Sequence, residues 1–236
     1  MDHPIIRITN MSKHYPTGAG HFTALKNINL DLYTAEFCGI VGPSGSGKTT
    51  LLNIIGSLDT QSEGNVSVLD KEINQLNPKK AAKLRSNYIG FIFQTYNLLP
   101  VYTVFENVEF PLLLLNIPKS KRKESVLNAL EWLGIADKIY SRPAQLSGGE
   151  CQRVAIARAI VKKPRIVLAD EPTANLDADN SHRILKMMLE INKELKTTFI
   201  FSTHDNKVIK YLKRKITLRD GAIFADEATG ENNNDF

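Results

Sequence analysis

Cysteine is scarce. Cys38 and Cys151 are the only two in 236 residues, they lie far apart, and neither sits in a metal-ligand spacing. One disulfide between them is conceivable, but a chain of this length buries a substantial core without one, so a reducing compartment is expected. Long apolar runs are missing too. The longest, Phe110 to Leu115, gives way to Asn116 and Pro118, far short of the roughly 20 residues that a spanning helix needs. The chain is therefore not expected to cross a membrane by itself. The start, Met1–Asp2–His3–Pro4, has no basic stretch leading into an apolar one, so no secretory leader is expected. Charge of one sign is also in short supply. Thirty Lys and Arg against 25 Asp and Glu leave a net +5, which suits anionic ligands or a membrane surface and is too mild to argue for nucleic acid. The basic clusters Lys79–Lys80–Lys83–Arg85, Lys119–Lys121–Arg122–Lys123 and Lys210–Lys213–Arg214–Lys215 are expected to be solvated faces, with lipid headgroups as the alternative contact.

What is present is an ordinary globular composition, 42% hydrophobic and 23% charged, enough for one large domain or two closely joined lobes. Ile5–Ile8 and Ile28–Leu32 alternate like short strands, divided at Pro16–Thr17–Gly18. Compact apolar runs at 37–41, 88–93, 166–169 and 198–202 predict buried strands. Helical patterns start at Lys48, fill much of 103–160 and cover 178–195. Strands alternating with helices imply a parallel sheet with both faces covered. A last β-pair is expected to turn at Asp220–Gly221. The polar tail, from 228 to Phe236, is expected to be disordered.

The most specific pattern is Gly42–Pro43–Ser44–Gly45–Ser46–Gly47–Lys48–Thr49, followed by Thr50. It leaves a buried strand and opens a helix, the setting a phosphate loop requires. Glycines let the backbone curl so that successive N–H groups point inward, and the helix start adds partial positive charge. Lys48 is expected to reach the terminal phosphates of a nucleotide and the Thr49 hydroxyl to bind magnesium. The strand Ile166–Val167–Leu168–Ala169 delivers Asp170 at its carboxyl end, where ligands of open α/β sheets bind. Asp170 is the expected magnesium partner through water, and Glu171 is a candidate base for an attacking water.

A second anion-accepting nest is Leu146–Ser147–Gly148–Gly149–Glu150, which opens an amphipathic helix. The plainer reading of the same residues is a capping box between Ser147 and Glu150. Taken with the loop and the strand, this run resembles the signature motif of ABC ATPases, and the resemblance covers nearly the whole chain. It implies a phosphate-loop cassette: a mixed-sheet, RecA-like core, an N-terminal antiparallel β-subdomain and a helical signature subdomain at about 95–160, all in one domain over 1–227. Tyr15 matches the family's adenine-stacking aromatic. Gln94 matches a glutamine that touches magnesium and the attacking water. Asn175–Leu176–Asp177 matches a loop facing a partner subunit, and His204 a histidine on the γ-phosphate.

The runs Ile89–Gln94, Asn97–Pro100, Glu106–Val108 and Leu168–Thr173 look like those of the lipoprotein-releasing and macrolide-exporter subgroup. Cys151, where a polar residue is usual, and Cys38 depart from the pattern, and each is expected to bring a thiol near the nucleotide. The resemblance further implies ATP and Mg2+ as cofactors and a homodimer in which one copy's signature closes on the other's ATP. It also implies a membrane permease on a separate chain, and a place on the cytoplasmic face of the cell membrane. Leu98, Leu99, Val101 and Tyr102, around Pro100, are expected to be exposed where such a permease docks. A soluble ATPase of the same family with a non-transport role, such as metal-cluster assembly, is the alternative.

Overall fold

The computed structural model describes residues 3–18 and 20–229. The first strands are β1 (Ile6–Thr17), β2 (Gly20–Leu32) and β3 (Phe37–Val41), followed by helix α1 (Lys48–Ile55). Next come β4 (Glu63–Val68), β5 (Lys71–Glu72), α2 (Pro78–Tyr88) and β6 (Ile89–Ile92). Three helices follow, α3 (Val104–Leu114), α4 (Lys119–Trp132) and α5 (Gly148–Ile160). The chain closes with β7 (Ile166–Asp170), α6 (Ala178–Leu195), β8 (Thr198–Thr203), α7 (Asn206–Ile209), β9 (Arg214–Arg219) and β10 (Ala222–Ala228).

These elements form two sheets. A four-stranded antiparallel sheet has the order β2-β1-β4-β5, and a six-stranded sheet the order β10-β9-β3-β8-β7-β6. In the larger sheet every neighbouring pair is parallel except β10 with β9. Its central strands are buried on both faces, which is why β3, β7 and β8 read as compact, mainly apolar runs with no polar alternation. Phe37, Phe199 and Phe201 interlock there with ring centroids 4.7–6.1 Å apart. One core lies between the two sheets around α1; the other joins the opposite face of the large sheet to α3–α6. In α6, Ile184, Leu185, Met188 and Ile191 supply the buried stripe.

The structure departs from the sequence pattern in four places. Instead of two short strands divided at Pro16, there is one long hairpin in which Pro16 pairs with His21. Pro16 is tolerated because β4 accompanies β1 only to Ser12, so the strand beyond it has an edge that needs no N–H. Tyr88 ends α2 rather than opening a strand; that helix starts on the Asn77 cap with Pro78 behind it and buries only Leu84, too little to register as periodicity. Arg122 and Arg214 are not on solvated faces: Arg122 pairs with Glu109 at 2.7 Å, and Arg214 forks onto Glu36 at 3.0 Å and Asp226 at 2.7 Å. The tail was expected to lose order from 228, yet Ala228 pairs with Arg214 and Thr229 N donates to the Lys213 carbonyl at 3.0 Å; residues 230–236 lie outside the described residues. The turn at Asp220–Gly221 is as expected, both residues having positive φ.

Candidate functional site

The carboxyl ends of β3, β7, β8 and β6 lie side by side, and every expected catalytic residue leaves the sheet there. From β3 the chain curls through Gly42–Gly47 into α1. A Cβ on Gly42 would stand 2.1 Å from the Leu218 carbonyl oxygen, and Gly47, at φ 100, lies against the Ala24 carbonyl. Neither position has room for a side chain. Pro43, Ser44 and Gly45 form the exposed rim of the loop. Ser46 is buried beneath them, and its hydroxyl has no partner among the described residues. Helix α1 begins without a side-chain cap and without an acidic residue in its first turn, so its partial positive charge is uncancelled. Lys48 folds over the loop, its Nζ donating to the Gly42 carbonyl at 2.8 Å and the Pro43 carbonyl at 2.9 Å.

Thr49, in the first turn of α1, faces Asp170, at the end of β7. The Thr49 Oγ1 lies 3.5 and 3.4 Å from the two carboxylate oxygens. Among the described residues no group of three or more His, Cys, Asp or Glu forms a metal cage. Two hard oxygen donors at one point suit magnesium, which keeps waters and phosphate oxygens in its shell rather than an all-protein cage.

Glu171 is next to Asp170 and carries φ 45, a left-handed conformation that is strained for a non-glycine residue. Its amide donates to the Ser202 carbonyl at 2.9 Å, pinning the turn to β8. Its carboxylate is held from two sides. Thr203 Oγ1 donates to Oε2 at 3.0 Å, and His204 Nδ1 lies 2.6 Å from Oε1. Thr203 was not foreseen; its only signal is its place at the carboxyl end of β8. Gln94 follows β6 with its side chain exposed, and its carbonyl accepts from Asn175 Nδ2 at 2.8 Å. Asp177 caps α6, accepting from the Asn180 amide at 2.8 Å.

Tyr15 reaches the site from the far end of the hairpin. Its hydroxyl donates to Asp59 Oδ2 at 2.7 Å, with the Thr50 side chain beside it. Burial and the Asp59 carboxylate push the phenol above its usual range, so it stays a neutral donor. Lys13, also unforeseen, donates from Nζ to Asp59 Oδ1 at 2.6 Å and sits 4.8 Å from the centre of the Tyr15 ring. No motif marks Lys13 or Asp59 in the sequence.

The Leu146–Glu150 run opens α5 as both readings had it. Ser147 caps the helix, Glu150 N donating to Ser147 Oγ at 3.3 Å and Ser147 N to Glu150 Oε2 at 2.7 Å. A Cβ on Gly148 would come 3.0 Å from the Tyr96 hydroxyl, and one on Gly149 3.1 Å from Asn180 Oδ1, so the run packs against the segments after Gln94 and Asp177. Among the described residues no hydrogen bond or ion pair joins it to Gly42–Thr49. Arg158, deeper in α5, donates to the carbonyls of Tyr96 at 2.7 Å and Asn97 at 2.5 Å. The thiols do not reach the phosphate loop as expected. Cys38 faces the core and donates to the Phe199 carbonyl, Cys151 points at the Pro143 carbonyl, and burial raises both above the usual thiol value.

Comparison with known proteins identifies the family. Residues 25–174 match the model of the family described as ABC transporter. An uncharacterized ABC transporter ATP-binding protein, YvrO of Bacillus subtilis, is 43% identical over 94% of this chain and 97% of its own length. LolD of Legionella pneumophila, an ATP-binding protein of a lipoprotein-releasing system, is 39% identical over 96% of this chain and 100% of its own. The macrolide export ATP-binding/permease protein MacB of Hyphomonas neptunium is 40% identical over 96% of this chain, which spans only 35% of that longer protein. Among solved structures, the dimeric cassette MJ0796 bound to ADP and Pi superposes with a TM-score of 0.87 at 39% identity, covering 95% of this chain and 99% of that one. The chain belongs to the ABC transporter family, as an ATP-binding subunit of its ATPases.

Proposed function

We propose that two copies of this chain close on two ATP molecules, hydrolyse them, and drive a membrane permease carried on a separate chain in export, lipoprotein extraction or force transmission. The observation that carries the reading is the convergence at the sheet's carboxyl edge: Thr49 facing Asp170, with Glu171 clamped by Thr203 and His204 beside them. In this reading Gly42–Thr50 and Lys48 bind the phosphates, and Tyr15 packs on the base. Thr49, Asp170 and Gln94 hold magnesium, which when bound neutralises phosphate charge. Glu171 accepts the proton of the attacking water. Its two oxygens each carry one bond already, which fixes the carboxylate plane, and each retains a lone pair for that water. His204 holds Glu171 through Nδ1 and keeps its side chain mostly exposed, free in this reading to contact the γ-phosphate.

The second copy is needed because Ser147–Glu150 serves no phosphate within its own chain. The dimeric state of the MJ0796 cassette supports the same arrangement. Loss of the γ-phosphate on hydrolysis removes the contacts bridging the two copies, and they part. Glu171→Gln keeps the clamp and removes the base, so with Mg-ATP it is expected to run as a stable dimer in light scattering. An unchanged monomer with and without ATP would count against the reading.

Coupling to a permease rests on the segment after Gln94. Leu98 packs on the helical core and Leu99 is half-buried, its backbone held by Asn107, so neither has the exposure expected. Val101, 71% exposed, Tyr102 and Tyr140, 85% exposed, present the apolar surface instead. No helix among the described residues is long and apolar enough to cross a membrane, and this reading places the permease on a separate chain. Val101→Asp with Tyr102→Ser is expected to spare ATP binding and abolish stimulation by the permease. Full stimulation in that variant would sink the docking assignment.

A further inference from the structure

We propose that Lys13 and Asp59 are positioning residues for the nucleobase: together they lock the Tyr15 ring by its edge and by one face, so that a purine stacks on the other. The inference deepens the reading above, since it rests on Tyr15 being the base platform.

Asp59 is the hub. One carboxylate oxygen, Oδ2, accepts the Tyr15 hydroxyl at 2.7 Å; the other, Oδ1, accepts Lys13 Nζ at 2.6 Å and the Thr60 amide at 2.7 Å. Lys13 Nζ also donates to the Thr60 carbonyl at 2.6 Å. The pair is no surface ornament, since the side chains are only 10% and 28% exposed. A charge at that depth persists only when fully hydrogen-bonded. Burial alone would raise the Asp59 carboxyl, yet the bonds from Lys13 and Tyr15 hold it below its ordinary value. The carboxylate therefore stays ionised and both donors stay tied.

The consequence falls on the ring. The Lys13 ammonium, 4.8 Å from the ring centre, is within cation–π range of about 6 Å. It takes one face. The hydroxyl anchor stops the ring from swinging about χ1, and the ammonium over one face leaves the opposite face as the stacking surface. The need for such a lock is evident from where Tyr15 stands. Beyond Ser12 the strand has lost β4 as a neighbour, and register shifts flank Lys13 on both sides. An aromatic side chain there would otherwise swing, and ordering it on each binding event would weaken the complex. Asp59, which follows α1, ties that wandering strand end to the helix that opens on the phosphate loop.

The test separates base from phosphate. Calorimetry on the full chain with Mg2+ gives the affinities for ADP and for pyrophosphate, and their ratio isolates the adenosine contribution without turnover. Lys13→Met and Asp59→Asn are each expected to reduce the ADP-to-pyrophosphate ratio about three- to tenfold, with pyrophosphate affinity within about twofold of wild type. Tyr15→Phe, which keeps the ring and loses the anchor, is expected to match Asp59→Asn. A wild-type ratio in Lys13→Met and Asp59→Asn, alongside a collapsed ratio in Tyr15→Ala, overturns the positioning role while sparing the platform. An equal fall in both affinities also overturns it, because the pair would then merely support the loop. An unchanged ratio in Tyr15→Ala shows instead that Tyr15 is not the platform.

Discussion

Two helices of this molecule start at glycine-rich turns, and their starts are chemically opposite. Helix α1 opens at Lys48 with no side-chain cap and no acidic residue in its first turn. Helix α5 opens at Gly148 with Ser147 and Glu150 bonded reciprocally across its end. The first leaves its dipole uncancelled and adds a lysine, so it can take an anion without assistance. The second is satisfied by its own residues and carries a carboxylate, held below its ordinary pKa by the Ser147 amide. An anion is welcome there only when something else brings it. In the proposed reading the first start makes a binding site of one chain, and the second meets a ligand already held by another.

The largest break in this contrast should come at α1. Lys48→Ala removes the one buried cation over the loop and is expected to lower ATP turnover about a thousandfold, with nucleotide affinity falling too. Titration with a fluorescent ATP analogue reads the second effect. If binding persists at wild-type strength, α1 is not the primary phosphate site. A smaller loss, of another kind, is expected at α5. Ser147→Ala should leave ATP binding by the isolated chain intact while turnover drops about a hundredfold. Loss of the cap costs about 1 kcal/mol, so the melting temperature should fall by roughly 2–4 °C. Equal losses of binding in the two variants would erase the distinction drawn above.

Both glycine turns were legible in the sequence because each is contiguous and has little latitude: Gly42 and Gly47 meet backbone carbonyls where a Cβ would be, and Gly148 and Gly149 lie close against the Tyr96 and Asn180 side chains. The buried strands were legible for a related reason, since a strand covered on both faces must be apolar throughout. What stayed hidden was held by distant partners. Lys13 and Asp59 are 46 residues apart and have no spacing to betray them. Arg158 looks like one more polar residue of an amphipathic helix until its carbonyl partners are seen. Helix α2, with one buried residue, has almost no pattern to read, and Pro16 misleads because a strand's free edge is invisible until its neighbours are known.

Arg158, in the helix that opens at the second glycine turn, ties that helix to the segment after Gln94, and it sharpens the comparison. Its guanidinium grips Tyr96 and Asn97, two consecutive residues at positive φ just past Gln94. Strain of that kind persists only where bonds outweigh it. Arg158→Met is expected to reduce unfolding free energy by about 2–3 kcal/mol, measured by urea denaturation. Turnover should fall about tenfold as Gln94 loses its fixed position, with ATP affinity unchanged. Wild-type turnover in a destabilised variant would show that the grip serves the fold alone.

The smallest effect expected is a titration of the α5 cap itself. Glu150 has a folded pKa below its unfolded value, chiefly because it accepts the Ser147 amide. The stabilisation it contributes is therefore complete above the unfolded carboxylate range and is lost as pH falls through the lower folded value. Glu150→Gln keeps an acceptor for Ser147 N but cannot titrate. Its stability should lie below wild type by less than about 1 kcal/mol at neutral pH, with the two curves converging as acid protonates Glu150. Because the carboxylate also repels an incoming phosphate, the same change should tighten ATP-driven pairing slightly at neutral pH. A stability gap that persists into acid would mean that the Glu150 carboxylate bond to the Ser147 amide is not what stabilises this helix start.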